Sequence, residues 1–249
     1  MIIIKTPSEI DLIRESCEIL VETFKEVEGH LKPGISTKEI DRIAEKYIHS
    51  RGGIPSFKGF HGFPAAVCIS IDEQVVHGFP GKRHLEEGQI VGIDMGVIYK
   101  GYYSDAARTY PIGKVSELKK KLMDVTKEAL WRGIEQARVG NRVSDISYAV
   151  QTYVESFGFS VVRELVGHGV GKDVWEEPQI PNYGKPGKGP RLRAGMVIAI
   201  EPMVNAATYE VRTESDNWTV VTADGKPSAH FEHTIALFED HTEVLTEGI

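Results

Sequence analysis

Residues 90–110 read IVGIDMGVIYKGYYSDAARTY. Two aspartates, Asp94 and Asp105, interrupt apolar, β-prone runs on either side of Tyr99-Lys100-Gly101. The pattern predicts an antiparallel hairpin about a tight turn. A two-residue loop at Tyr99-Lys100 sets Ile98 opposite Gly101 and Asp94 opposite Asp105. Directly opposed side chains share a face, with Cβ atoms about 4.5–5.5 Å apart. Two carboxylates so placed repel, and a shared proton, arginines or a metal ion must compensate. The plain alternative is a solvated pair on an exposed sheet face near Lys100 and Arg108. Ile93, Met95 and Val97 argue for at least one covered face.

The flanking sequence predicts helices and strands in a repeated order. Thr6-Pro7-Ser8-Glu9 has the form of a helix start: a capping threonine, proline at the first helical position, and a glutamate behind it. Apolar residues from Ile10 to Val27 then recur at helical spacing, until Lys32-Pro33-Gly34 breaks the chain. Ser36-Thr37-Lys38-Glu39 opens a second helix to about Ser50. Strands follow in AAVCISI, VVH and the hairpin. Two more helices are expected, from about Ser116 to Arg138 and from Ser144 to about Phe157, with Gly140 between them. FSVVREL, MVIAIEPMV, NWTVVT and HTIALF are expected strands. Gly34–Ile40 echoes Gly140–Ile146, and Ser8-Glu9-Ile10 echoes Ser116-Glu117-Leu118. We read a duplicated ααββ unit of the α+β class, with halves at about 1–112 and 113–249. The strands would form one curved antiparallel sheet with helices outside and the site in its concavity. Pro178 to Arg193, rich in Pro, Gly and Lys, reads as a surface loop.

Composition excludes several classes of function. A chain of 249 residues suits one large domain. A net charge of −7 argues against nucleic acid, DNA included, as main partner. The only dense basic spot, Lys119-Lys120-Lys121, is expected on a solvated helix face. Cys17 and Cys68 lie far apart, which suggests a reducing, cytoplasmic setting without disulfides. The N-terminus MIIIKTPSE reads as neither a signal peptide nor a membrane span.

Three further residues interrupt strand-like contexts. His168 sits among glycines in GHGVG, Glu201 ends the apolar run IAIEP, and Glu232 precedes TIALF in FEHT. Each alone is ordinary: a structural histidine, a charge at a strand end. Together, Asp94, Asp105, His168, Glu201 and Glu232 make a donor set for hard or borderline divalent ions such as Mn(II), Fe(II), Co(II) or Zn(II). The set exceeds the needs of one ion. A pair about 3.5–4 Å apart would use it fully and would acidify a shared water.

This ordered set, in the contexts GIDMG, YSDAARTY, GHGVG, AIEPMV and FEHT, resembles the methionine aminopeptidases. VVHGFP, with His77, and EEPQIPNYG resemble theirs too. The resemblance covers essentially the whole chain and looks like the short bacterial type I form. It implies the pita-bread fold and removal of the initiator methionine from nascent polypeptides when the next residue is small. It implies that Asp94 binds one metal, Asp105 and Glu232 bridge two, and His168 and Glu201 complete the second site. Glu201 would also be the general base, and His77 would contact substrate at the scissile bond; the plain role for His77 is capping the Gly78-Phe79-Pro80 turn. Phe60, Phe63, Cys68 and Trp218 would line a pocket for the methionine side chain. The resemblance also implies a monovalent cation near Asp72, Gln74 and Ser228, and leaves open docking on the ribosome; a monomer is expected.

The chain departs from that family at Trp175, where a histidine is expected before the Glu176-Glu177-Pro178 stretch. Phe60 and Phe63 stand where tyrosines are common. Two other functions remain open at this stage: a peptidase of the same fold acting on Xaa-Pro bonds, and a binding module that has lost catalysis.

Overall fold

The computed structural model describes all 249 residues. Helix α1 spans Pro7–Glu28 and starts as its sequence dictates: Thr6 accepts from the Glu9 amide, and the Glu9 carboxylate accepts from the Thr6 amide. Helix α2, Thr37–Ser50, is capped by Ser36. Helices α3, Glu117–Gln136, and α4, Val143–Ser156, open the second half. Both α2 and α4 have 14 residues, and they begin at equivalent places in the echoed GISTKEI and GNRVSDI segments.

In the first half, strand Ile90–Tyr99 lies between Val67–Ile71 and Tyr102–Pro111, all antiparallel. Leu20 and Phe24 of α1 and Ile40 and Ile48 of α2 bury against Ile69, Val91, Ile93, Met95 and Val97. In the second half, the five-stranded ladder runs Thr242–Val244, His233–Leu237, Val197–Ile200, Gly167–Gly169, Glu176–Ile180. Leu122, Leu130, Ile146 and Val150 of α3 and α4 pack on Ile198, Ile200 and Ile235.

Four sequence expectations are corrected. The hairpin turn is Lys100-Gly101, with φ of 49° and 80°, so Tyr99 pairs with Tyr102. Left-handed conformation at both positions suits a two-residue turn whose twist matches the strands, and Gly101 adopts it at no steric cost. The strands also form four ladders, of four, three, three and five strands, rather than one sheet. One break falls at Pro202, which has no amide hydrogen to donate. Opposite it, the Glu232 amide leaves its own half and donates to Ala107 O at 2.8 Å. Thr234 Oγ1 donates to Asp105 O at 2.7 Å, and Thr109 Oγ1 donates to His230 O at 2.9 Å. These bonds form the seam between the halves. Finally, the 178–193 segment begins in a strand, with Ile180, Asn182 and Leu192 buried. Lys119 is likewise no solvated charge: its Nζ lies 2.5 Å from Asp72 Oδ1 and 2.8 Å from Gly88 O. No helix is long and apolar enough to cross a membrane.

Candidate metal centre

The true register sets Asp94 opposite Ala107 and Asp105 opposite Gly96. It differs from the expected one by two residues, an even slip, so both aspartates keep their common face. They are diagonal neighbours rather than a directly opposed pair. Ala107 also pairs with Glu232 across the seam. Asp94, Ala107 and Glu232 therefore form one row across three strands, and the small central side chain leaves space between the two acids.

His168 enters from the second half between two glycines. A Cβ at Gly167 would strike Ala199 O, and one at Gly169 would strike Glu177 O, so only glycine lets the neighbouring strands close around it. His168 Nδ1 lies 2.9 Å from Gly169 O. A carbonyl only accepts, so Nδ1 carries a proton and Nε2 is the ring atom turned to the acids. Nε2 points at Asp105 Oδ2, 3.7 Å away, and at Glu201 Oε1, 3.6 Å away. Donor atoms of Asp105, His168 and Glu232 all lie within 4.8 Å of one another.

The electrostatics of this cluster call for a cation. Asp105 and Glu232 are buried, while Asp94 and Glu201 keep slight access. Asp94 Oδ1, Asp105 Oδ1 and Glu232 Oε1 are enclosed without any hydrogen-bond partner. Burial raises Asp94 to about 7, with Glu201 adding to the rise and His230 opposing it. Burial raises Glu201 to about 7, against His168. Asp105 and Glu232 are raised well above the carboxylate range, first by burial and then by neighbouring carboxylates. A divalent cation inverts this situation, because it supplies the opposite charge that burial withholds. Orphaned carboxylate oxygens beside an imidazole nitrogen are the donor chemistry such ions take, so the residues fit the group.

Above the acids is an apolar recess lined by Phe57, Phe60, Phe63, Cys68, Val174 and Trp218, with Trp175 at its edge. Phe63 packs on Trp218 at 5.2 Å between ring centres, and Phe60 on Trp175 at 5.1 Å. Cys68 pairs directly with Asp94 in the adjoining strand, and burial raises its thiol, so it stays protonated. A second, more polar cavity, reaching Glu164 and Gln179, meets the first at His77, Asp94, His168, Trp175 and Glu201. His77 has a φ of 60° and a pKa lowered to about 4 by burial, so its ring is neutral where the two cavities join. Trp175 is 51% exposed, the most open of the aromatic residues around the recess.

The fold thus brings the five candidate divalent-metal ligands, His77, Phe60, Phe63, Cys68, Trp175 and Trp218 around one recess, while Asp72, Gln74 and Ser228 lie outside its lining. Sequence reasoning missed Phe57, Val174 and, above all, His230. His230 is buried, with Nε2 3.5 Å from Glu201 Oε2. Its position two residues before Glu232 was the available signal, since alternate residues of an extended chain share a face.

The model of metallopeptidase family M24 matches residues 11–239. The chain is 56% identical over 246 residues to methionine aminopeptidase 1 of Bacillus subtilis, covering 99% of each. The crystal structure of methionine aminopeptidase from Thermotoga maritima superposes with a TM-score of 0.97 at 44% identity, covering 99% of each chain. Prolidase from Pyrococcus furiosus matches with a TM-score of 0.82 at 25% identity; the match spans 98% of this chain but 65% of that one.

Proposed function

The chain belongs to metallopeptidase family M24, and from that premise we infer that it is a metal-dependent aminopeptidase removing the N-terminal methionine of polypeptides. The observation that carries the reading is the buried Asp105–His168–Glu232 cluster, with its two like-charged acids, at the floor of an apolar, aromatic recess. In this reading Asp94, Asp105, His168, Glu201 and Glu232 hold two divalent ions, drawn from Mn(II), Fe(II), Co(II) and Zn(II). When bound, such ions polarise the scissile carbonyl and acidify water near neutral pH.

The chain's own residues supply the rest. Glu201, at the meeting of the two cavities, takes the proton of the attacking water on its carboxylate and passes it to the leaving amine. His77, neutral and at the same junction, donates a hydrogen bond to substrate at the scissile bond. Phe60, Phe63 and Trp218 enclose an unbranched thioether, and the Cys68 thiol adds a soft contact. Trp175 walls the recess where the two cavities meet. The two halves act as one catalytic domain, because Asp94 and Asp105 come from one and His168, Glu201 and Glu232 from the other. The reading extends to a monomer acting in the cytoplasm on nascent chains near the ribosome when the second residue is small. It includes a monovalent cation beside Asp72, Gln74 and Ser228, where Ser228 N–H donates to Asp72 O at 2.8 Å.

The test is methionine release from Met-Ala-Ser by chelator-stripped protein, without metal and with added Co(II) or Mn(II). Release should appear only with metal, and Leu-Pro peptides should be left intact. No release with any ion, or preference for Leu-Pro, overturns the reading.

A further inference from the structure

Glu201 lies between two imidazoles. Its Oε1 is 3.6 Å from His168 Nε2, and its Oε2 is 3.5 Å from His230 Nε2. His230 is 4% exposed, and its Nε2 is enclosed without a hydrogen-bond partner. Buried polar atoms in folded proteins are nearly always paired, so each exception needs a cause. The buried atoms left unpaired include Asp94 Oδ1, Asp105 Oδ1, Glu232 Oε1 and His230 Nε2, the last within 3.5 Å of Glu201. Three belong to residues already assigned to metal; the fourth has the same signature and no assignment.

The backbone explains how the ring is held. Thr109 Oγ1, from the other half, donates to His230 O and accepts from His230 N, both at 2.9 Å. His230 also pairs with Met203, two residues beyond Glu201. Its main chain is thus pinned at the seam, on the same side of the cluster as Glu201.

We propose that His230 is a sixth donor of the metal centre, giving a second imidazole nitrogen opposite His168 across Glu201. The proposal rests on the metal-dependent reading above. A second nitrogen donor biases the site toward borderline ions such as Co(II), Fe(II) and Zn(II), relative to Mn(II), which favours oxygen. The rival role is hydrogen bonding from His230 to the Glu201 carboxylate, which a glutamine amide can also perform.

The experiment is calorimetric and optical titration of the metal-stripped protein with Co(II) alone, for the wild type and His230→Gln. Loss of a donor should weaken Co(II) binding by about tenfold or more, and should change the visible Co(II) absorption bands. His168→Gln, titrated alongside, gives the response to losing an assigned nitrogen. Unchanged affinity and unchanged bands in His230→Gln overturn the proposal in favour of hydrogen bonding. A measurement on the unaltered chain stands independently of whether that variant folds. In ¹⁵N-histidine-labelled protein, Zn(II) should shift the ring nitrogens of both His168 and His230 into the metal-bound range. A shift of His168 alone overturns the proposal. If the wild type binds no Co(II), the metal-dependent reading itself fails.

Discussion

Lys5 Nζ lies 2.6 Å from Glu176 Oε2, with both side chains almost wholly buried. The other carboxylate oxygen, Oε1, accepts from the Lys172 amide at 2.7 Å. The N-terminal segment thereby reaches the residue next to Trp175 and fixes the bend that separates Gly169 from the strand Glu176–Ile180.

A buried pair of this kind adds little net stability when intact, yet breaking it strands a charge. Lys5→Met should cost about 3–5 kcal/mol. The double variant Lys5→Met with Glu176→Leu should recover most of that loss. Urea denaturation of the three proteins measures both effects. A Lys5→Met variant as stable as the wild type would show that the pair carries no structural load.

Trp175 replaces a residue type that could exchange protons with one that cannot. It is half-exposed and touches Phe60 edge-on, so its contribution is shape. We expect Trp175→His to turn over Met-Ala-Ser at a rate equal to or modestly different from the wild type. Steady-state kinetics decide the matter: a collapse in kcat would assign the indole a role beyond walling the recess.

The hairpin shows which parts of this site were legible in the sequence. Face alternation has a period of two, so Asp94 and Asp105 could be put on one face from their numbers alone. Which residues turn the chain is a local matter, and Lys100-Gly101 prevailed over Tyr99-Lys100 because the glycine accepts φ of 80°. The even slip left the chemistry intact. Helix starts at Thr6 and Ser36 were readable because capping is written in adjacent residues. The break at Pro202 was written locally, in a residue without an amide hydrogen, but the burial of Ile180 and Asn182 and the tether from Lys119 to Asp72 depend on contacts between distant segments. No local pattern announces them. His230 was hidden for a similar reason: it reaches Glu201 because Ser228–His230 pairs with Met203–Asn205, a contact between distant segments.

Metal-free protein should lose stability as pH rises above about 6.5, near the ordinary histidine pKa. Asp94 and Glu201 have folded pKa values near 7, raised from 3.8 and 4.5. Between those limits the folded state binds more protons than the unfolded chain, so rising pH favours unfolding. His77 and His233, lowered to about 4, act in the opposite sense, but only until the unfolded histidines have lost their protons. Above that point the carboxyls act alone. Melting temperatures of stripped protein should therefore fall between pH 6.5 and 8, in the range of these carboxyl pKa values near 7. Saturating Co(II) should abolish the fall, since ligands bind metal in their ionised form. A flat profile for the stripped protein would mean that the four acids are not held protonated by burial.

Glu201→Gln separates proton transfer from metal binding. The amide keeps the volume of the carboxyl and one oxygen that can still face His168, but it cannot take a proton from water at neutral pH. General-base catalysis is worth about 10²–10⁴ in rate, so kcat on Met-Ala-Ser should fall by that order. Co(II) binding should weaken without vanishing, because Asp94, Asp105, His168 and Glu232 stay in place around the same cavity. Measuring both on one preparation is essential. If rate and affinity fall in proportion, and saturating Co(II) restores turnover, Glu201 acts through the metal alone. If turnover stays depressed at full occupancy, its carboxylate is the base; a fully active variant would put the base elsewhere in the site.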